Sequence, residues 1–216
     1  MPRPSASSAR PAPDTAGQIL DVAERLAQTR GFNGFSYADI AGELGITKAS
    51  LHYHYASKAD LGRALIDRYS ASFAAALEAI DRSSISAAEK LRRYVKIYAD
   101  VLHAGRICLC GMLAAEYTTL PAGMQDAIRD FFDANERGLA RIVESGRKDG
   151  SLSFEGPAGD AARAITAALE GALLLARPYG GADRFLNAAT RVLAEFEPQK
   201  APKRVAARRN SRPKNN

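Results

Sequence analysis

The chain has 216 residues, 46% of them hydrophobic and 25% charged, with a formal net charge of +6. That is a globular composition, long enough for a small domain plus a larger one with a sizeable core. The two cysteines, in C-x-C spacing, exclude a disulfide framework, and the most apolar stretch, Ala161 to Ala176, is interrupted by Arg163 and Glu170, which excludes a membrane span.

Residues 1–13 lack the apolar centre of a signal peptide and read as a disordered leader, so a cytoplasmic location is expected. The charge is placed unevenly. Lys200 to Asn216 holds seven basic residues and no acidic one, and Arg3 and Arg10 add two; taking these nine from +6 leaves −3 for residues 14–199. The body is therefore no general polyanion binder. The basic tail, 198–216, reads either as a non-specific attraction for phosphates or as a solubilising end.

Helical periodicity runs from Thr15 to that tail, with no strand pattern, so an all-α fold is expected. The first helix starts at Thr15, with Gln18 closing a capping box, and carries Ile19, Val22, Ala23 and Leu26 at i, i+3, i+4, i+7. Gly31 ends it, and Phe32 and Phe35 are placed to plug a small core. Ser36 with Asp39 forms a capping box for a short helix bearing Ile40, Ala41 and Leu44, and Gly45 supplies a sharp turn. Thr47 caps a second short helix in which Leu51 and Tyr55 face inward. Ser57 with Asp60 opens a long helix with Leu61, Leu65, Ile66, Tyr69, Phe73 and Leu77 on one face. Two short helices joined at a glycine, the second rich in hydrogen-bonding side chains, form a helix-turn-helix, which sets a recognition helix in the DNA major groove.

Further helices are expected from Ser86 to about His103, over 107–118, from Pro121 to Gly150, from Pro157 to Pro178, and around Phe185 to Phe196. This gives a helix-turn-helix domain over 14–60 and a larger helical domain over 61–197.

The first third of the chain resembles the DNA-binding domain of the tetracycline-repressor-like (TetR/AcrR) transcriptional regulators. The resemblance rests on Ile40-Ala41, Gly45-Ile46-Thr47-Lys48, Leu51-His52-Tyr53-His54-Tyr55 and Ser57-Lys58 at fixed spacing. His52 stands where that family usually has tyrosine, and Tyr55 where it has phenylalanine. The resemblance implies a double-stranded DNA operator as partner. Lys48, Ser50, His52, Tyr53 and His54 are expected on the DNA side, with Ser36, Tyr37, Thr47 and Lys58 reaching phosphates. It also implies that the larger domain binds an unidentified small-molecule effector and forms a homodimer through the last two helices. Alanines 161, 164, 167, 168 and 172 with Gly171 would allow close approach there, and Leu173, Leu174 and Leu175 supply bulk. A dimer reads two half-sites about 34–36 Å apart.

Tyr69, Phe73, Tyr94, Tyr98, Met112, Tyr117, Met124, Phe131 and Phe132 are candidates to line an effector pocket, since methionine and aromatic side chains make adaptable apolar walls. Core packing is the simpler explanation for any single one of them. Cys108 and Cys110 lie about 160° apart on a helix and read as reduced, packed thiols. A second reading makes them an oxidant or electrophile sensor, with Arg106 and a helix start near Ile107 lowering a thiol pKa. His52 and His54 are likewise too divergent to chelate one metal, so no metal and no cofactor are expected. No phosphate loop, H-E-x-x-H or G-x-S-x-G occurs, and Asp100, Glu116 and Asp133 have no evident acid–base partner, so no enzyme is expected. The function expected is a sequence-specific transcriptional regulator, a repressor released by a small molecule. A regulator sensing through Cys108 and Cys110, an architectural DNA binder without effector, and a helical enzyme or carrier are the alternatives.

Overall fold

A computed structural model describes residues 14–198; the leader and the basic tail, with the roles expected of them, lie outside the described residues. Among the described residues are nine α-helices and no strand. The first, α1 (Thr15–Arg30), is capped one residue earlier than expected: Asp14, not Thr15, accepts from the Gly17 amide at 3.0 Å. A carboxylate beats a hydroxyl at this position because it also favours the positive end of the helix dipole.

The next three helices follow the local code closely. In α2 (Tyr37–Leu44), Ser36 accepts from the Ala38 amide and its own amide donates to Asp39 Oδ2 at 2.7 Å. Gly45 closes α2 at φ 66°, a left-handed conformation that any Cβ would strain. Thr47 accepts from the Ser50 amide at 3.1 Å to start α3 (Lys48–His54). Ser57 and Asp60 form the second capping box and open the 25-residue α4 (Lys58–Arg82), whose inward face carries Leu61, Leu65, Ile66, Phe73 and Leu77.

The larger body is built from α5 (Ala87–His103), α6 (Leu109–Ala115), α7 (Ala122–Asp149), α8 (Ala158–Ala176) and α9 (Asp183–Ala194). Single 3-10 turns follow α6 at Tyr117–Thr119 and α8 at Arg177–Tyr179. Helix α4 packs chiefly on α7, α7 on α8, and α8 on α9, while α1 rests on α4 and α6. Because α4 belongs to both halves, the apolar core is continuous from Ile19 and Leu51 to Leu169 and Phe185, all shielded from solvent. No helix among the described residues is long and apolar enough to cross a membrane.

Candidate functional site

Helix α3 is held by one anchor and presents the rest. Leu51 is fully buried, whereas Lys48, Ala49, His52 and Tyr53 are exposed and Ser50 and His54 half-buried. Tyr53 is 86% exposed, an apolar ring in water without a partner surface in the subunit, and the His54 ring meets its edge at 5.2 Å. Lys48 and His52, one turn apart, share a shallow depression with Ser36 at the start of α2. The His52 Nδ1 is tied to the Ala56 carbonyl at 3.0 Å and its ring leans on Tyr37, 4.8 Å between centroids. This fixes the side of the ring that faces outward.

Tyr37 and Lys58, both expected at phosphates, line the same depression but spend their polar groups within the subunit. Tyr37 is buried and its hydroxyl donates to the Tyr55 carbonyl at 2.9 Å; burial pushes its pKa up to about 12. Lys58 bends inward, donating to the Phe32 carbonyl at 2.5 Å and to the Phe35 carbonyl, with its ammonium over both phenyl rings. Burial lowers its pKa, against the opposing pull of Glu116 and Asp39. Lys58 locks the loop between α1 and α2 to the start of α4, so it positions the motif from within. Ser36 and Thr47 remain exposed but spend their hydroxyl oxygens as caps.

The same loop is gripped from the larger body. Glu116, which ends α6, accepts from the Phe32 amide at 2.6 Å and the Asn33 amide at 3.4 Å. The Asn33 side chain donates to Thr119 Oγ1 at 2.7 Å, and Arg177 reaches the Thr29 carbonyl. These contacts form a clasp between the end of α6 and the helix-turn-helix.

Three cavities adjoin α4 and α6. One, of about 190 Å³, lies between α4 and α7 and is lined by Phe73 and Phe131 with Arg63, Asp67 and Asn135. A shallow one beside α5 touches Tyr69 and Phe73. The largest of the three, about 340 Å³, lies between α6, α7 and α8. Its walls are mostly apolar (Ile107, Ala114, Phe132, Leu173, Leu174), interrupted by Thr166, Glu136 and Glu170. Burial raises Glu170 to about 7, with the Cys108 thiol as the one group opposing the rise. A Cβ at Gly111 would stand 2.3 Å from Glu170 Oε2, so α6 approaches the carboxylate only because residue 111 lacks one.

Comparison with known proteins decides the assignment. Residues 19–65 match "Bacterial regulatory proteins, tetR family", and residues 87–192 match "Tetracyclin repressor-like, C-terminal domain". A TetR transcriptional regulator from Legionella pneumophila is 32% identical, spanning 87% of this chain and all of that one, at TM-score 0.79. A TetR-family regulator from Agrobacterium tumefaciens is 31% identical over 85% of this chain and 97% of that one, at TM-score 0.81. The transcriptional regulator AcuR of Cereibacter sphaeroides is 28% identical over 81% of this chain and 83% of its own length. The chain belongs to the TetR family. It is a DNA-binding transcriptional regulator with a helical ligand-binding domain; its relatives are regulators rather than enzymes, and regulators of this family bind operator DNA and dimerise.

Within this TetR-family frame the aromatic candidates separate. Phe73, Phe131, Tyr69 and Phe132 border cavities, but Tyr94, Tyr98, Met112 and Met124 are core residues that border none of the three. The Tyr94 hydroxyl is bonded to Tyr98 and Asn135 at 3.0 Å and lies 3.4 Å from Thr166, a closed network tying α5 to α7 and α8. Tyr117 lies in the 3-10 turn after α6, its carbonyl accepting from Gln125 at 3.0 Å and its hydroxyl from Arg129 at 2.5 Å, both on α7. The sensor reading of the cysteines meets the opposite electrostatics: both thiols are buried, and burial with the nearby Glu170 carboxylate pushes both well above their ordinary range. Arg106, expected to lower them, points to Gln28 at 3.3 Å. Glu116, Glu136 and Glu170 are the residues that sequence reasoning missed. A lone acid in a helical pattern carries no local mark of such a partner, and only the burial of its neighbours in sequence (Leu169 and Leu173 around Glu170) hinted at one.

Proposed function

We propose that this regulator is a repressor that holds its operator as a homodimer and lets go when a small molecule fills the cavity between α6, α7 and α8. One observation carries the reading: α6 lines the cavity at Gly111 and Ala114 and grips the helix-turn-helix at Glu116. A ligand wedged against α6 has only a short rigid element to move before the clasp on Phe32 and Asn33 is disturbed. A second connection runs from Glu170 through the Cys108 thiol to the Tyr69 hydroxyl on α4, 3.6 Å from the sulfur. Both routes end on the elements that set the separation of two recognition helices. Tyr53, Lys48, Ser50 and the outward edge of His52 and His54 read the bases and phosphates in this proposal.

We propose that the dimer forms through α8 and α9, a reading supported by the exposed face of α8. Leu174 and Leu175 are 51% and 64% exposed, next to exposed Ala164 and Ala167, a patch whose small residues let a partner helix come close. Leu173, by contrast, is buried within its own subunit. The test is operator affinity of Gly171→Leu, measured on sequences selected from a random DNA pool. A Cβ at Gly171 meets nothing within 4 Å, so residue 171, which lines the cavity and borders the exposed face of α8, has room for a larger side chain; Ala114→Leu on α6, away from that face, is the parallel cavity-filling variant. Filling it should weaken operator binding by a factor within the about 5–150-fold range of allosteric coupling while sedimentation still shows a dimer. Undiminished affinity in whichever of the two variants remains dimeric contradicts the reading.

A further inference from the structure

The chemistry of the large cavity goes further and names what fills it. Glu170 sits in its wall on α8, and its Oε1 is out of reach of water with no hydrogen-bond partner among the described residues. The neighbouring donor is the Cys108 thiol, a weak one. A second carboxylate, Glu136 on α7, lines the same cavity and is raised by its own burial; its counter-ion Arg163, at 3.5 Å, stands largely exposed on the outer surface of α8. The remaining wall offers Phe132, Leu173 and Leu174, and no lysine or arginine lines it.

This arrangement discriminates by charge. Glu136 is partly neutralised by Arg163 and Glu170 ionises near pH 7, so above that pH the cleft carries the Glu170 charge and an anion entering it is repelled. A neutral ligand leaves the Glu170 charge uncompensated, which is costly for a buried group. A cation answers the charge, and an apolar body attached to it covers Leu173 and Leu174 while the Phe132 ring supplies a favourable face for the cationic end. We infer that the ligand is a small organic cation, an ammonium group on an apolar body, bound with its charge toward Glu170. The inference rests on the cavity being the effector site, but its binding test does not require DNA release.

The test uses the full-length protein and three probes of one size: 4-phenylbutylamine, 4-phenylbutan-1-ol and 4-phenylbutanoate. Titration calorimetry at about pH 8 should show the amine binding at least about tenfold more tightly than the alcohol and no binding of the acid. Glu170→Gln should reduce the preference for amine over alcohol to near unity. Glu136→Gln, at a partly exposed position that tolerates the change, should reduce it several-fold. The inference is overturned if none of the three binds, if alcohol or acid binds as tightly as amine, or if both variants keep the parent's preference. Operator release is read in parallel by fluorescence anisotropy. Glu170-dependent amine binding without release leaves the cation site standing and removes the effector role, whereas absent binding beside a DNA-weakening Gly171→Leu removes the cation site alone.

Discussion

Replacing Glu170 by glutamine should stabilise the protein, and by an amount that depends on pH. In the folded chain burial raises this carboxyl from 4.5 to about 7. The unfolded chain therefore gives up its proton first, and the fold loses stability as pH rises from about 4.5 through about 7. Above that the full difference is present, about 3 kcal/mol from the two pKa values. The thiol of Cys108, pushed well above its usual range, stays protonated through this window, as do Tyr69 and Tyr98, so none of these neighbours adds a competing titration. Glutamine keeps the shape and removes the charge, and the Cys108 hydrogen bond to the carboxylate is already contained in the value of about 7. The variant should thus gain about 3 kcal/mol at pH 8 and nothing at pH 5, a Tm increase of about 6–12 °C for a chain of this size. Thermal melts of parent and variant at equal protomer concentration measure it. A Tm difference that is the same at both pH values, or a variant less stable at pH 8, refutes the burial argument for Glu170.

Three further outcomes follow from the geometry. Lys48→Ala should lower the salt dependence of operator binding by about one phosphate's worth, whereas Lys58→Ala should leave that slope unchanged and instead destabilise the N-terminal half by about 1–3 kcal/mol, because two carbonyls lose their donor; salt titrations and melts separate the two. Leu175→Arg should yield folded monomers in sedimentation, while Leu173→Arg should unfold the subunit through an uncompensated buried charge; folded monomers from both would dissolve the distinction drawn between the two faces of α8. The parent and a Cys108→Ser, Cys110→Ser variant should keep operator affinity alike under mild peroxide, since buried thiols with raised pKa supply little thiolate; selective release from the parent would restore the sensor reading.

Local chemistry was readable in the sequence, and distant chemistry was not. Ser36 with Asp39, Gly45, Thr47, and Ser57 with Asp60 act within four residues of themselves, and each stands in the structure as the spacing implied. Asp14 displaced Thr15 as a cap because the two adjacent candidates differ by one residue of register and the carboxylate is the stronger cap. The fates of Tyr37 and Lys58 were hidden because carbonyls carry no sequence signature, and a surface-type lysine is equally suited to a phosphate or to Phe32 and Phe35. Tyr94 and Tyr98 showed the same apolar stripe that a cavity wall would show; only the position of Asn135 and Thr166 on other helices makes them core. Glu116 finds its partner 84 residues away, beyond any local pattern.

The central claim, that occupation of the α6–α7–α8 cavity reaches DNA through the Glu116 clasp, is tested most directly by a double-mutant cycle on operator affinity. Gly171→Leu fills the cavity, and Glu116→Ala removes the acceptor that holds the Phe32 and Asn33 amides. The account predicts that Gly171→Leu weakens operator binding at least about fivefold in the parent and has no measurable effect in the Glu116→Ala background. Equal losses in the two backgrounds would show that the cavity and the clasp act independently and would contradict the account.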